Sequence, residues 1–354
     1  MDQENRLKKH AIDMMRMGYG YTRKELISLA TDMGHYLGKL PEDKHLSEAW
    51  LYHGFLKRHT SITFSKPRSL SMPRAKSVTK ENLNAYFQNL KDILDKYELH
   101  DCPELIYNVD ETGFSPEHSP PRIATVKGCT PQAITSPRST MVTCIGACNA
   151  LGTALPPYLI HKGKRLTNDL KEGCCPGTGF NISASGWSNS VIFQRFLEDH
   201  FLKYCQRRPG KHLLVLYDRS TTHINAELVE WALKENIILF VLPPHASHYL
   251  QPLDVGCFKP LKSAYDNLAH RFLKQHPGQN INRYSMTSLI CQSYTTALTP
   301  SNVQRSFKKT GIWPFNPSVI QEEVFKPAEA TTFTPNEVTE PTGVDQFLSS
   351  QGSH

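Results

Sequence analysis

The stretch Ile106-Tyr107-Asn108-Val109-Asp110-Glu111-Thr112 decides how the rest of the chain is interpreted. It is a run of β-favouring residues that ends in acids, a pattern typical of a buried strand carrying a carboxylate to the edge of a sheet. The stretch Leu213-Leu214-Val215-Leu216-Tyr217-Asp218 repeats this design, and a third apolar run, residues 237–242, leads through Pro243-Pro244-His245 to Asp254. Ligands of such sheets bind where the strands end. The pattern therefore predicts that Asp110, Asp218 and Asp254 meet in one pocket.

Three carboxylates in one pocket repel one another and raise one another's pKa unless a proton or a cation lies among them. Oxygen ligands without a neighbouring Cys or His set favour Mg²⁺ or Mn²⁺ over zinc. A pair of such ions can support phosphodiester cleavage. A single Asp at a strand end is more often a turn or helix-capping residue. The residues alone therefore leave catalysis and scaffolding open.

Length and composition define the class of protein. The chain has 354 residues, 39% of them hydrophobic and 21% charged, which predicts a soluble protein of about two domains. No apolar run approaches the roughly 20 residues of a membrane span, and the charged start, Met1-Asp2-Gln3-Glu4-Asn5-Arg6, is unlike a secretory signal. Nine cysteines without a CxxC pair favour free thiols in a reducing compartment. We expect an intracellular protein.

The net charge of +7 is concentrated at the N-terminus. Residues 1–80 contain fifteen Lys and Arg against eight Asp and Glu, whereas residues 81–354 contain twenty-five of each. Residues 49–80 contain seven basic residues and no acid. Such a run is often only a solvated surface, but after helix-turn-helix-like segments it favours contact with DNA phosphates. The predicted DNA-binding residues are Lys57, Arg58, Lys66, Arg68, Arg74 and Lys76.

The N-terminal pattern predicts three short helices. Apolar spacing indicates helical structure over residues 6–37, interrupted by a turn at 18–21 after which Thr22 is placed to cap a helix. A third helix is predicted from Ser47 to Arg58. This arrangement suits a helix-turn-helix module followed by a basic linker, so we place a domain boundary after residue 77.

The middle of the chain predicts a mixed sheet. A helix from Thr79 precedes three antiparallel strands, at 106–112, 122–126 and 140–147, with 156–160 as a possible edge strand. Residues 162–190 are interpreted as a loop insertion, and Ser188 as the cap of a helix over 189–206. A parallel strand, helix, strand crossover follows at 213–242, and then a helix from about Cys257 to Lys274.

This order predicts an α/β fold, a ribonuclease H-like mixed-sheet catalytic core preceded by an all-α helix-turn-helix DNA-binding domain. The expected domains are residues 1–77, residues 78–326, and a tail over 327–354 whose Thr, Glu, Pro and Ser content is typical of disorder.

Several motifs resemble those of the DDE superfamily endonucleases of the pogo-type transposases (Tigger, jerky and centromere protein B-like). The blocks that carry the resemblance are Tyr107-Asn108-Val109-Asp110-Glu111-Thr112-Gly113, Pro243-Pro244-His245-Ala246-Ser247-His248, Leu250-Gln251-Pro252-Leu253-Asp254-Val255-Gly256, Ser185-Gly186-Trp187 and Gly311-Ile312-Trp313-Pro314-Phe315-Asn316-Pro317. The similarity runs from about residue 18 to 320.

The resemblance implies that Asp110, Asp218 and Asp254 are the catalytic and metal-binding acids, with 35 residues between the last two. It also implies two Mg²⁺ or Mn²⁺ ions, double-stranded DNA at transposon terminal repeats or chromosomal sites as the partner, a homodimer when active, and action in the nucleus. Trp50, residues 54–59 and Lys66-Pro67 are similar to the end of a centromere protein B-type helix-turn-helix.

The chain departs from the family pattern in two places. Relatives typically have Asp-Gly-His after the second acid strand, whereas this chain has Asp218-Arg219-Ser220. The family usually has a further helix-turn-helix upstream, which this sequence lacks. These departures support an alternative, a domesticated DNA- or chromatin-binding protein without nuclease activity; an RNA nuclease of the same fold is a third hypothesis. His223 and His248 are candidates to orient a carboxylate or phosphate, or are hydrogen-bonded loop residues.

Overall fold

The computed structural model describes residues 2–67, 71–138, 141–218 and 226–331, which divide into two compact units. One unit is Met1–Asn82 together with the segment that begins at Gln321, and the other is Leu83–Ile320. The helices of the first unit are α1 (Asp2–Arg16), α2 (Arg23–Tyr36), a π-helical turn (Trp50–Phe55) continuing as α3 (Leu56–Arg58), α4 (Met72–Ser77) and α13 (Lys326–Thr331). Helix α5 (Lys80–Lys96) begins in the first unit and continues into the second.

The N-terminal helices form because their apolar residues share one core. Leu7 of α1, Leu26 and Ala30 of α2, and Leu51 and Phe55 of the π-helical turn pack together. Thr22 caps α2 through a capping box, in which Thr22 N donates to Glu25 Oε2 (2.7 Å) and Glu25 N donates to Thr22 Oγ1 (3.4 Å). This three-helix region fits a helix-turn-helix domain, as predicted.

A six-stranded mixed sheet forms the centre of the second unit, in the order β4-β3-β2-β1-β5-β6. The strands are β1 (Ile106–Phe114), β2 (Val142–Asn149), β3 (Tyr158–Lys162), β4 (Gly179–Ser183), β5 (Leu213–Tyr217) and β6 (Ile237–Val241). Pairing is antiparallel for β1–β2 and β2–β3, and parallel for β3–β4, β1–β5 and β5–β6. Three antiparallel strands and a parallel crossover are therefore present, as predicted.

Helices cover both faces of this sheet. The helices of the second unit, besides most of α5, are α6 (Ser190–Arg195), a π-helical turn (Phe196–Phe201), α7 (Leu202–Tyr204), α8 (Ala226–Lys234), α9 (Ser247–Leu250), a π-helical turn (Leu253–Cys257), α10 (Phe258–Gln275), α11 (Arg283–Ala297) and α12 (Pro300–Lys309). Gly146 of β2 faces Phe258 and Tyr294, on α10 and α11. On the opposite face Tyr107 packs against Phe201, with ring centroids 5.0 Å apart.

Three expectations about local structure are wrong. Residues 122–126 are exposed and lie outside any strand. The two neighbours of β1 in the sheet are β2 and β5, and the third antiparallel strand is β3. Residues 162–190 include β4, which pairs with β3 and displaces it from the edge of the sheet. The helix cap is Asn189, whose side chain accepts from Ile192 N at 2.9 Å, rather than Ser188.

The predicted domain boundaries remain predictions. The expected tail overlaps α13, in which Ala328 is buried, so its first residues are helical. Residues 332–354 lie outside the described part of the chain.

Candidate active site

Asp110 and Asp218 lie at matching levels of two adjacent strands. β1 and β5 run parallel with Val109 opposite Tyr217, so an acid follows the paired residue on each strand. The apolar residues of both strands are buried, which fixes the register and brings the two backbones to the same edge of the sheet.

Asp254 is held near this edge by two buried amide side chains. Asn108 of β1 donates from Nδ2 to Leu216 O and accepts at Oδ1 from Leu253 N, both at 3.0 Å. Gln251 Nε2 donates to Val109 O at 3.0 Å. Asn108 therefore links β1 to β5 and to the π-helical turn that carries Asp254. Its position inside a buried apolar run was the sequence signal for this role, because a buried amide must be hydrogen-bonded.

The charges of Asp254 and Asp218 act on Asp110. The pKa of Asp110 is raised well above its usual value by burial, then by the negative charge of Asp254 and, more weakly, of Asp218. A hydrogen bond of 2.8 Å from Glu111 N to Asp110 Oδ1 opposes part of this rise in pKa. The surroundings of Asp110 thus penalise its ionised form, and a cation beside it would remove that penalty.

Asp218 is oriented by the loop that follows β6. Its Oδ2 accepts a hydrogen bond of 3.0 Å from Ser247 Oγ, at the start of α9. The next residue, His248, is half-buried and its ring lies 4.1 Å from that of Tyr249. Ser247 was not among the predicted site residues, although it lies in the motif Pro243-Pro244-His245-Ala246-Ser247-His248.

The set of donors suits a hard divalent cation, because all three acids offer carboxylate oxygens. Within residues 2–67, 71–138, 141–218 and 226–331, however, no three His, Cys, Asp or Glu side chains are grouped closely enough to form a finished metal site. The structure therefore brings the acids to one edge and into electrostatic range without arranging them as a closed ligand set.

Glu111 follows Asp110 in the chain but lies on the other face of the sheet, because successive strand residues alternate. Burial raises the pKa of Glu111 to about 7, an effect that the Ser188 side chain partly opposes. Two residues further, a β-carbon at Gly113 would contact Met141 and the Trp187 ring. Glu111 is therefore separate from the group formed by Asp110, Asp218 and Asp254.

The predicted DNA-binding residues belong to the first unit. Lys57, Arg58, Lys66, Arg74 and Lys76 are all exposed. Arg58 makes two hydrogen bonds to Glu4, from Nε to Oε2 (2.9 Å) and from Nη2 to Oε1 (2.6 Å), and this pairing lowers the pKa of Glu4. Its charge is therefore largely balanced by α1. Arg68, Arg219 and His223 lie outside the described residues.

Comparisons with known proteins match part of this chain to one family. A family model described as DDE superfamily endonuclease matches residues 138–307, a range that includes Asp218 and Asp254 and begins after Asp110. A protein of Cochliobolus lunatus described as "MFS-type transporter clz9" is 30% identical over 230 residues, which cover 64% of this chain. This chain spans about a quarter (25%) of the length of that curated relative. In the described part of this chain, no helix is both long and apolar enough to cross a membrane.

Solved transposase structures share the fold. The Mos1 strand transfer complex is 12% identical with a TM-score of 0.50, and the match covers 94% of this chain and 78% of that chain. The Mos1 mariner paired-end complex with Mn is 13% identical with a TM-score of 0.47, covering 88% of this chain and 80% of that chain. The first likeness confirms the predicted ribonuclease H-like fold. The pogo-type subgroup stays a prediction, but the family model of the DDE superfamily endonucleases matches residues 138–307, just under half of the chain.

Proposed function

We propose that this protein is a transposase that cuts DNA at transposon ends and joins the released end to a new site, using Asp110, Asp218 and Asp254 to hold two Mg²⁺ or Mn²⁺ ions. The observation that carries this proposal is the raised pKa of Asp110, which burial and the charges of Asp254 and Asp218 produce together. Asp110 and Asp218 are half-buried and Asp254 is exposed. Acids crowded at a strand edge disfavour one another's ionised form, and a divalent cation relieves that cost.

The reaction consists of two displacements at phosphorus. In the first, water attacks a backbone phosphorus, the bond to the 3′ oxygen breaks, and a 3′-hydroxyl is released; in the second, that hydroxyl attacks a target phosphorus. Two divalent ions, when bound, activate the attacking oxygen and stabilise the departing one. Ser247 orients the Asp218 carboxylate, and Asn108 and Gln251 hold the turn that bears Asp254.

The remaining parts of the proposal follow from this activity. Residues 1–77 form the DNA-binding domain, residues 78–326 the catalytic domain, and Lys57, Lys66, Arg68, Arg74 and Lys76 contact phosphates. Two transposon ends must be joined, so the active form pairs two subunits. The substrate and the basic N-terminus point to the nucleus. The solved relatives include a strand transfer complex and complexes with Mn and Mg.

The test is nicking of a supercoiled plasmid by the purified full-length protein with Mn²⁺. A catalytic metal supplies several kcal/mol, and a tenfold rate change corresponds to about 1.4 kcal/mol, so Asp254→Asn should lower the nicking rate by about 100-fold or more. Asp199→Asn, which changes an exposed acid on the π-helical turn after α6, should nick like the wild type. A wild-type protein that binds the plasmid but leaves it uncut would instead identify a DNA-binding protein without nuclease activity.

A further inference from the structure

The balanced charge of residues 81–354 conceals a long acid-free segment. From Asn267 to Gln321 the sequence contains no Asp or Glu, but it contains six basic residues, Arg271, Lys274, Arg283, Arg305, Lys308 and Lys309. All of this segment except Gln321 lies in the second unit, and it includes the second half of α10 and all of α11 and α12.

Three of these cations share one face of α12. Arg305, Lys308 and Lys309 stand at positions i, i+3 and i+4, a spacing that places side chains together on a helix. All three are exposed, and no carboxylate of the described residues lies within ion-pair distance of them. With Val319 they line a shallow depression of about 360 Å³. The buried residues of the same helix, Val303, Ser306 and Phe307, point the other way.

The buried face of α12 packs on the turn that carries Asp254. A β-carbon at Gly256 would overlap the Ser306 side chain, and Cys257 Sγ lies 3.5 Å from Ser306 Oγ. α12 is also fixed by Gln304, whose Nε2 donates to Leu151 O at 2.7 Å. The basic face is therefore carried by a rigid helix about one helix diameter, roughly 10 Å, from the acid-bearing turn.

Two ordinary explanations account for part of this pattern. Lysines in the last turn of a helix are stabilised by the helix dipole, which covers Lys308 and Lys309, and exposed cations aid solubility. Neither explains why Arg305 joins them or why 55 consecutive residues lack an acid that would balance their charge. A polyanion whose phosphates repeat along a strand accounts for both features.

We infer that the surface formed by Arg305, Lys308 and Lys309 binds backbone phosphates of the double-stranded DNA that the protein cuts. This inference rests on the proposed function and adds a second DNA contact, in the catalytic unit, to the contacts of residues 57–76. Since one strand advances about 3.4 Å per nucleotide, the contacted phosphates lie about three nucleotides from the scissile one. The surface provides affinity and register along the duplex rather than sequence recognition.

The test is the salt dependence of binding of the full-length protein to a 40-base-pair duplex, measured by fluorescence anisotropy. The slope of log K against log salt is negative, and each lost phosphate contact should make it shallower by about 0.9. Lys308→Glu/Lys309→Glu should therefore make the slope shallower by about 2. The triple variant that also carries Arg305→Glu should make it shallower by about 3 in total. Arg195→Glu/Lys203→Glu makes the same charge change at exposed positions on α6 and α7, and should leave the slope unchanged.

Folding and function are controlled separately. Lys308→Gln/Lys309→Gln should reproduce the shallower slope with an unchanged melting temperature, which excludes misfolding as the cause. If wild-type protein binds and nicks DNA but the Glu and Gln variants keep the wild-type slope, the phosphate surface is refuted and the proposed function stands. If Arg195→Glu/Lys203→Glu makes the slope equally shallow, the effect is only net charge and the inference is overturned. If the wild-type protein binds no DNA, both are overturned.

Discussion

Asn108 Oδ1 accepts a hydrogen bond of 3.0 Å from Leu253 N, so the strand that carries Asp110 directly fixes the turn that carries Asp254. The same amide donates to Leu216 O, two residues before Asp218. Asn108 belongs to the strand that carries Asp110, and its side chain bonds to the backbones of the two elements that carry Asp218 and Asp254. Its geometry, more than any contact between the carboxylates, sets where they lie.

Asn108→Leu should therefore lower both stability and nicking. It leaves Leu253 N and Leu216 O without their side-chain partner, and a buried group deprived of its hydrogen bond costs about 1–3 kcal/mol. Urea unfolding measures the first effect, and Mn²⁺-dependent plasmid nicking the second. Asn267→Leu, at an exposed position of α10, is the matched control. Wild-type nicking by Asn108→Leu would show that the turn keeps its position without this amide.

Asp110→Asn should stabilise the metal-free protein at neutral pH. The folded-state pKa of Asp110 is raised, so its ionised form, which predominates in the unfolded chain above about pH 4, opposes folding. Replacing the carboxylate by an amide of the same shape should add about 1 kcal/mol or more to the free energy of unfolding. The gain should disappear below about pH 4, where both states are protonated.

The same variant tests metal binding without an activity assay. Mn²⁺ should raise the melting temperature of the wild-type protein by mass action, and much less that of Asp110→Asn. Equal shifts in the two proteins would indicate that the ion binds elsewhere.

Gly256→Ala should destabilise the second unit, although alanine has a higher helix propensity than glycine. The added β-carbon overlaps Ser306, and such overpacking costs about 1–3 kcal/mol. Because Ser306 Oγ is the nearest atom, Ser306→Ala in the same chain should recover part of the loss. The four proteins of this double-mutant cycle are compared by chemical denaturation. A fully additive cycle would contradict the predicted contact.

His161 should make the protein sensitive to mild acid. Burial in β3 and, to a smaller extent, the nearby charge of Arg283 together lower the pKa of His161 to about 4. The unfolded chain takes up the proton near pH 6.5 and the folded chain does not, so stability is complete above that pH and falls as pH decreases toward 4.

Between pH 7 and pH 5 the loss from His161 should be about 2 kcal/mol, measured by urea unfolding. His161→Gln should lose correspondingly less over the same interval. His276→Gln, at an exposed position after α10, should behave like the wild-type protein. A wild-type pH profile in His161→Gln would assign the acid sensitivity to other groups.

The sequence predicted those elements whose apolar pattern alone determines their structure. The runs that became β5 and β6 are apolar throughout, and β1 begins with the apolar residues Ile106 and Tyr107; all three lie in the sheet as expected. β4 was missed because Gly179-Phe180-Asn181-Ile182-Ser183 is short and half polar, and only pairing with β3 makes it a strand. Residues 122–126 have strand-like composition, but no strand of the sheet pairs with them.

At the site, each acid was visible in the sequence because it ends or follows an apolar run. The groups that orient them were harder to identify, because Asn108, Ser247 and Gln251 act through contacts between residues 29 to 145 positions apart. The basic face of α12 was not identified because charge was counted over all 274 residues from 81 to 354. In that total the acid-free segment is offset by acidic segments elsewhere.

The first unit is assembled from two segments far apart in the sequence, Met1–Asn82 and the segment that begins at Gln321. Helix α13 packs with α4, and Arg16 and Lys80 pair with Glu323 and Glu322. A ribosome making about 5–20 residues per second needs roughly 10–50 s to translate the intervening segment. During that interval the N-terminal helices lack their last partner, while the segment that forms the sheet emerges and folds. Completion of the first unit is thus delayed until α13 has been synthesised.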